Sequence, residues 1–263
     1  MLTETITTAA TGTTLTTFRT VTKGSMTEST SLLMALRLAD SMLPVGTYTA
    51  SYGIEQYLNE GYVETAEELG ELVEGYLYGM IGPAETVALA HAHRSAANGD
   101  FTGVLDADER LAAATLPAEF RESSTKAGGK LLDLLSTTEE PFFAGAADDA
   151  FLADHAAAVD DGRTAGHYPV VLGVVCQRAG VGREEAAIVG GYSSVTGLLG
   201  AAQRLGRFGH TDIQSQLSAL FPVIERVCSR YSDADLDEMY SFAPLTDIMG
   251  MTHERADRRL FMS

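Results

Sequence analysis

Apolar residues recur through most of this chain at alternating steps of three and four, the spacing that places them on one face of an α-helix. The clearest run covers residues 183–231. Ile188, Tyr192, Val195, Leu199 and Ala202 form one stripe, and Gly190, Ser194, Gly197 and Ala201 form a second stripe of small residues on the same helix. Each glycine costs a helix about 1 kcal/mol relative to alanine, so tertiary packing has to offset several of them. The pattern predicts a helix packed on two sides, near the middle of a bundle. A turn at residues 205–209 leads to a second helix carrying Ile213, Leu217, Leu220, Ile224, Val227 and Tyr231, with Pro222 inside it predicting a kink.

The remaining elements follow in order. Residues 1–28 are Thr-rich without a core pattern and read as a disordered tail ahead of one domain at 29–263. Met26 opens a stretch with the look of a natural start, which makes residues 1–25 a candidate upstream extension. A first helix at 31–40 ends before Pro44, Gly46 allows a sharp turn, and Gly53 leaves room for a close neighbour beside a short helix carrying Glu55. Thr65 and Glu68 have the spacing of a capping box, and Gly82–Pro83 predicts a restart of the chain. Helices are expected at 84–97, 104–115 and onward from Pro117. The acidic, alanine-rich stretch 139–166 reads as a solvated surface, a mobile or inserted region. Val170–Val175 is the one run that could be a strand. Strand-like alternation is otherwise scarce, so the fold class is all-α, a single-domain bundle of about ten helices.

Charge narrows the function. Asp and Glu number 36 against 18 Lys and Arg, a formal charge of −18, and lysine occurs only at 23, 126 and 130. Nucleic acid and anionic membranes need a basic surface, so neither is expected as a partner. Carboxylates spread along the whole chain suggest a protein adapted to high salt, where the Debye length falls to ~3 Å at 1 M. Cys176 and Cys228 lie inside apolar helical patterns with no CxxC spacing, as reduced thiols do in a cytoplasmic protein. No apolar run of ~20 residues and no signal-peptide pattern is present.

Several apparent motifs fail on their chemistry. Gly128–Gly129–Lys130 lacks the P-loop spacing and is followed by Leu131 where a hydroxyl is needed. Asp233, Asp235 and Asp237 are not followed by the glycine and glutamate of a calcium loop. His253–Glu254 has Asp257 where a zincin needs its second histidine. His91 and His93 sit two apart on a helix and so point to different faces. A helical metal-dependent enzyme would need His91, His93, His155, His167 or His253 to converge with carboxylates. No cofactor is expected.

At the joint of the two long helices, Gln203, Arg204, Arg207, His210, Asp212, Gln214 and Gln216 collect without serving either stripe. Ordinary capping by Thr211 or His210 would explain part of this. The string from Arg204–Leu205 through Gly209–His210–Thr211–Asp212 to Gln214 resembles the UreF family of urease accessory proteins, with His210 where the family has Gln. Two further blocks resemble it. One is Leu43–Pro44–Val45–Gly46 followed by Ser51, Gly53 and Glu55. The other is Pro244–Leu245 with Asp247–Ile248, then His253–Glu254 and Arg259–Leu260–Phe261, with Met262 where the family often has Arg. The segment Arg121–Leu132 agrees more loosely. The resemblance implies an all-helical, dimerising protein without turnover. Such a protein sits between the UreD (UreH) scaffold and the GTPase UreG during nickel delivery to urease apoprotein. It implies partner contacts at Glu55, Arg204, His210 and Gln214, with Arg259, Leu260 and Phe261 docking on the UreD side. A nickel-binding metallochaperone, with His210 or the acidic segment as ligands, is the nearer alternative.

Overall fold

A computed structural model describes residues 28–46, 51–137 and 141–256. The expected tail at 1–28 lies outside them except for Glu28, as do Arg259, Leu260 and Phe261. Among the described residues every regular element is helical, and no strand occurs. The order is α1 (Glu28–Ala39), α2 (Ile54–Asn59), α3 (Ala66–Tyr76), a π-helical segment (Leu77–Thr86), α4 (Val87–Asn98), α5 (Phe101–Ala114) and α6 (Ala118–Thr137). After these come α7 (Ala150–Asp160), α8 (Tyr168–Arg178), α9 (Arg183–Arg204), α10 (His210–Ser232) and α11 (Pro244–His253). The Val170–Val175 run is helix α8, buried on all sides.

Two apolar cores share walls. One gathers Leu131, Val171, Val174 and Leu111 with Ala88, Ala186 and Val189. The other gathers Leu69, Tyr76, Leu199, Leu217 and Ile224 with Val87 and Ala187. Neighbouring residues of α4 and of α9 therefore face different cores, the two-sided packing expected for α9. All six stripe residues of α10 are buried. Helix α10 runs unbroken through Pro222, which is exposed.

The small-residue stripe of α9 plays a different part from the one its pattern suggests. Among the described residues nothing lies within 4 Å of a Cβ added at Gly197, and one at Gly190 meets only the side-chain tips of Leu89 and Leu172. A close backbone approach falls instead at Gly173 of α8, where a Cβ would lie 2.3 Å from the Leu89 carbonyl oxygen of α4. A methyl there needs backbone to move, so α4 and α8 cross this closely only through glycine.

Pro83 does not restart the chain. Helix continues from α3 through the π-helical segment into α4. Proline lacks an N–H and crowds the carbonyl four residues earlier, and a wide π turn relieves that. An outside strap completes the arrangement: the Phe242 N–H donates to the Gly79 carbonyl at 2.8 Å and the Tyr240 N–H to the Pro83 carbonyl at 3.2 Å. A Cβ on Gly79 would lie 2.8 Å from the Phe242 oxygen, so the strap requires that glycine.

The acidic stretch is less of an insertion than its composition suggests. Phe142, Phe143, Leu152 and Ala158 are buried, and the Asp149 side chain caps α7 and pairs with Arg178 at 2.6 Å. Its other aspartates, 148, 154, 160 and 161, face solvent. Composition registered those charges and missed the apolar residues between them.

Candidate functional site

The elbow between α9 and α10 is built on two glycines. Gly206 takes φ +75°, and its N–H donates to the Gln203 carbonyl at 2.9 Å, closing α9. Gly209 precedes α10, and its N–H donates to Asp212 at 3.1 Å. Neither Thr211 nor His210 is the cap; Asp212 in the first turn serves instead, where the helix dipole also favours a carboxylate. Phe208 is buried beneath the turn, while Arg207, His210, Thr211, Asp212 and Gln214 are exposed. The Gln203 amide donates to Nδ1 of His210, tying the end of α9 to the start of α10. Arg204 is half-buried.

Beside the elbow runs a groove of about 1140 Å³ between α1 and the α9–α10 pair. Leu32 and Leu36 of α1 face Ile188 and Tyr192 of α9 across it, and Gln203, Arg204 and Gln214 close one end. Leu32, Leu36 and Ile188 are 61%, 59% and 38% exposed. The upper half of the first α9 stripe thus lines this groove rather than the core.

Glu55 is not at a surface. Helix α2 lies between α9 and α11, and Glu55 is 3% exposed, its carboxylate 3.2 Å from Nε2 of His253. Nδ1 of the same ring is 2.7 Å from Glu119. Next to it, Glu254 accepts the Glu119 backbone N–H at 3.0 Å, capping the start of α6. The His253–Glu254 pair therefore locks the C-terminal helix onto α2 and α6. Glu55 holds the fold together here, and its expected contact with a partner is corrected accordingly.

The histidines do not converge. His93 bonds the Val181 carbonyl, His155 packs edge-on against Phe101, His167 bonds Asp108, and His253 bridges two glutamates. Among the described residues no three His, Cys, Asp or Glu side chains are grouped to hold a metal ion. None of the described helices is long and apolar enough to cross a membrane.

Sequence reading missed one polar centre. Asp108 is buried in α5 and accepts from Thr164 Oγ at 2.5 Å and from the N–H groups of Ala165, Gly166 and His167 at 2.8, 2.9 and 2.7 Å. It also faces His167 Nδ1 at 2.9 Å. Burial alone would raise its pKa. These hydrogen bonds and the adjacent imidazole together outweigh burial and hold the carboxyl well below its ordinary range. Its partners lie 56 to 59 positions away, a separation that no local spacing encodes.

The described residues form an all-helical platform in which buried polar groups tie remote elements together, with a cluster of exposed polar groups at the α9–α10 elbow. The UreF family model matches residues 63–221. The chain is 32% identical over 229 residues to the urease accessory protein UreF of Trichodesmium erythraeum, covering 87% of this chain and 95% of that one. It is 30% identical over 231 residues to UreF of Yersinia enterocolitica, covering 88% and 97%. The chain belongs to the UreF family of urease accessory proteins.

Proposed function

We propose that this protein is a non-catalytic adaptor that joins the UreD/UreH scaffold to the GTPase UreG, for nickel insertion into urease apoprotein in the cytoplasm. The observation that carries this reading is the elbow. Two long helices anchored in the core hold Arg207, His210 and Gln214 outward on a short turn, so little ordering entropy opposes binding there. Arg204, His210 and Gln214 form the surface that meets the GTPase, and the chain acts as a homodimer. Glu55 contributes indirectly, by holding α11 through His253. The segment Arg259–Leu260–Phe261 docks on the scaffold side. Coupling between nucleotide state and metal transfer is then a difference in affinity between two states of the GTPase.

Co-purification with the GTPase, the scaffold and urease apoprotein tests this directly. Arg204→Ala and removal of the last six residues should each weaken assembly and urease activation while the isolated protein stays folded. Intact assembly and activation in both variants would reject this site map. A calorimetric nickel titration of the isolated protein separates the adaptor from a metallochaperone, which would bind nickel tightly by itself.

A further inference from the structure

Beneath the groove lies a pocket of about 60 Å³, walled by the π-helical segment with its half-buried Glu85, α6, α8 and the small residues of α9. Tyr168, Ser193 and Gly197 line both the groove and the cavity, so the two adjoin there. Glu85 faces this space and accepts a long hydrogen bond, 3.4 Å, from Ser194 Oγ. A smaller void of about 10 Å³ continues past Tyr52, Glu85 and Ser124 to His167. Tyr52 holds a left-handed backbone at φ +47°, uncommon for a bulky residue, and so turns toward both spaces.

The His167 ring is 2% exposed. Asp108 stays ionised and faces Nδ1, so Nδ1 carries a hydrogen, and whenever the ring holds only that one its lone pair is on Nε2. Nε2 is buried and has no hydrogen-bond partner among the described residues. An acceptor without a donor at such a site is costly, and a polar void of 10–15 Å³ or more is enough for a water. We infer that ordered water fills the two voids and links His167 Nε2 to the Glu85 carboxyl, so that Asp108, His167 and Glu85 form an internal acid–base relay holding one proton. The protonated carboxyl donates to water and the water donates to Nε2. Transfer along that line moves the proton from Glu85 to His167 with no change in total charge. Release to solvent runs past Tyr168, Ser193 and Gly197 into the groove.

The charge environment fits. Among the described residues, the other titratable groups facing the voids are the phenols of Tyr52, Tyr76 and Tyr168, and no Lys or Arg lines either space. Burial pushes Tyr52 and Tyr168 upward, so both stay neutral donors. Burial pushes Glu85 up to about 7, with Ser194 and His167 acting against it. Glu85 therefore binds its proton more tightly in the folded chain than in the unfolded one. Its contribution to stability is complete below its unfolded value and is lost as pH rises through about 7.

Nitrogen NMR of histidine-labelled full-length protein, with stability measured against pH, tests the relay. In the wild type, His167 should appear as the Nδ1–H tautomer, and its Nε2 signal should move with a midpoint near neutrality as Glu85 ionises. Between pH 5 and pH 8 the wild-type folding constant should fall up to roughly 100-fold further than that of Glu85→Gln. An Nε2–H tautomer, an Nε2 signal unmoved from pH 5 to 9, or equal pH slopes in the two proteins would overturn the relay. If Glu85→Gln does not fold, the wild-type NMR titration decides alone.

Discussion

Nδ1 of His253 lies 2.7 Å from the Glu119 carboxylate, joining residues 134 positions apart in the sequence. With Glu55 on the other ring nitrogen at 3.2 Å, a single imidazole stands between two buried carboxyl groups. Three helices that are remote in the chain meet at that ring.

His253→Ala should therefore be severe. It leaves two carboxylates buried against each other, and breaking a buried pair costs about 3–5 kcal/mol. For a chain of this size that corresponds to a fall in Tm of about 10 °C. Thermal denaturation at neutral pH checks it, and a fall under about 2 °C would show that α11 is held by other contacts.

His155 should make the protein acid-sensitive. Both of its ring nitrogens are buried without partners among the described residues, and burial pushes its pKa down to about 4, only partly opposed by Asp108. The unfolded chain takes up a proton below about 6.5, whereas the folded chain resists until about 4. Stability is then lost as pH falls across that window, by up to about 3 kcal/mol. Urea denaturation from pH 7 to pH 4 should show a shallower loss in His155→Leu than in the wild type.

Two glycine substitutions should go in opposite directions. Gly173→Ala drives a methyl into the Leu89 carbonyl, and overpacking of this kind costs about 1–3 kcal/mol or more. Gly197→Ala meets nothing and removes the helix penalty of glycine, so a gain of up to about 1 kcal/mol is expected. Denaturant midpoints of the pair provide the comparison, and equal losses would contradict the packing described for α8 and α9.

The charge of −18 predicts a salt requirement. Self-repulsion among exposed carboxylates falls as the Debye length shortens, so Tm should climb between low and molar KCl. A flat response would end the high-salt reading.

Period carried most of the fold. The stripes of α10 and the capping box of Thr65 and Glu68 follow from local spacing, and both stand in the structure. Where spacing failed, a remote partner intervened. Pro83 reads as a break because the strap that reaches Gly79 comes from residue 242. Glu55 reads as an exposed helical charge because His253 is far along the chain. The same holds for Asp108. The elbow was legible as a polar cluster, but its cap was not, since Thr211, His210 and Asp212 all have side chains that can serve at a helix start.

The strap at residues 240–242 has a mechanical consequence. It is sewn to the π-helical turn in mid-chain and leads straight into α11, whose far end is clamped by His253. Tension applied to whatever follows Ala256 would be carried by His253 and by the carbonyls of Gly79 and Pro83, two turns or less from Glu85. Helix α11 and the interior of the bundle are therefore mechanically joined at the turn of helix that carries Pro83.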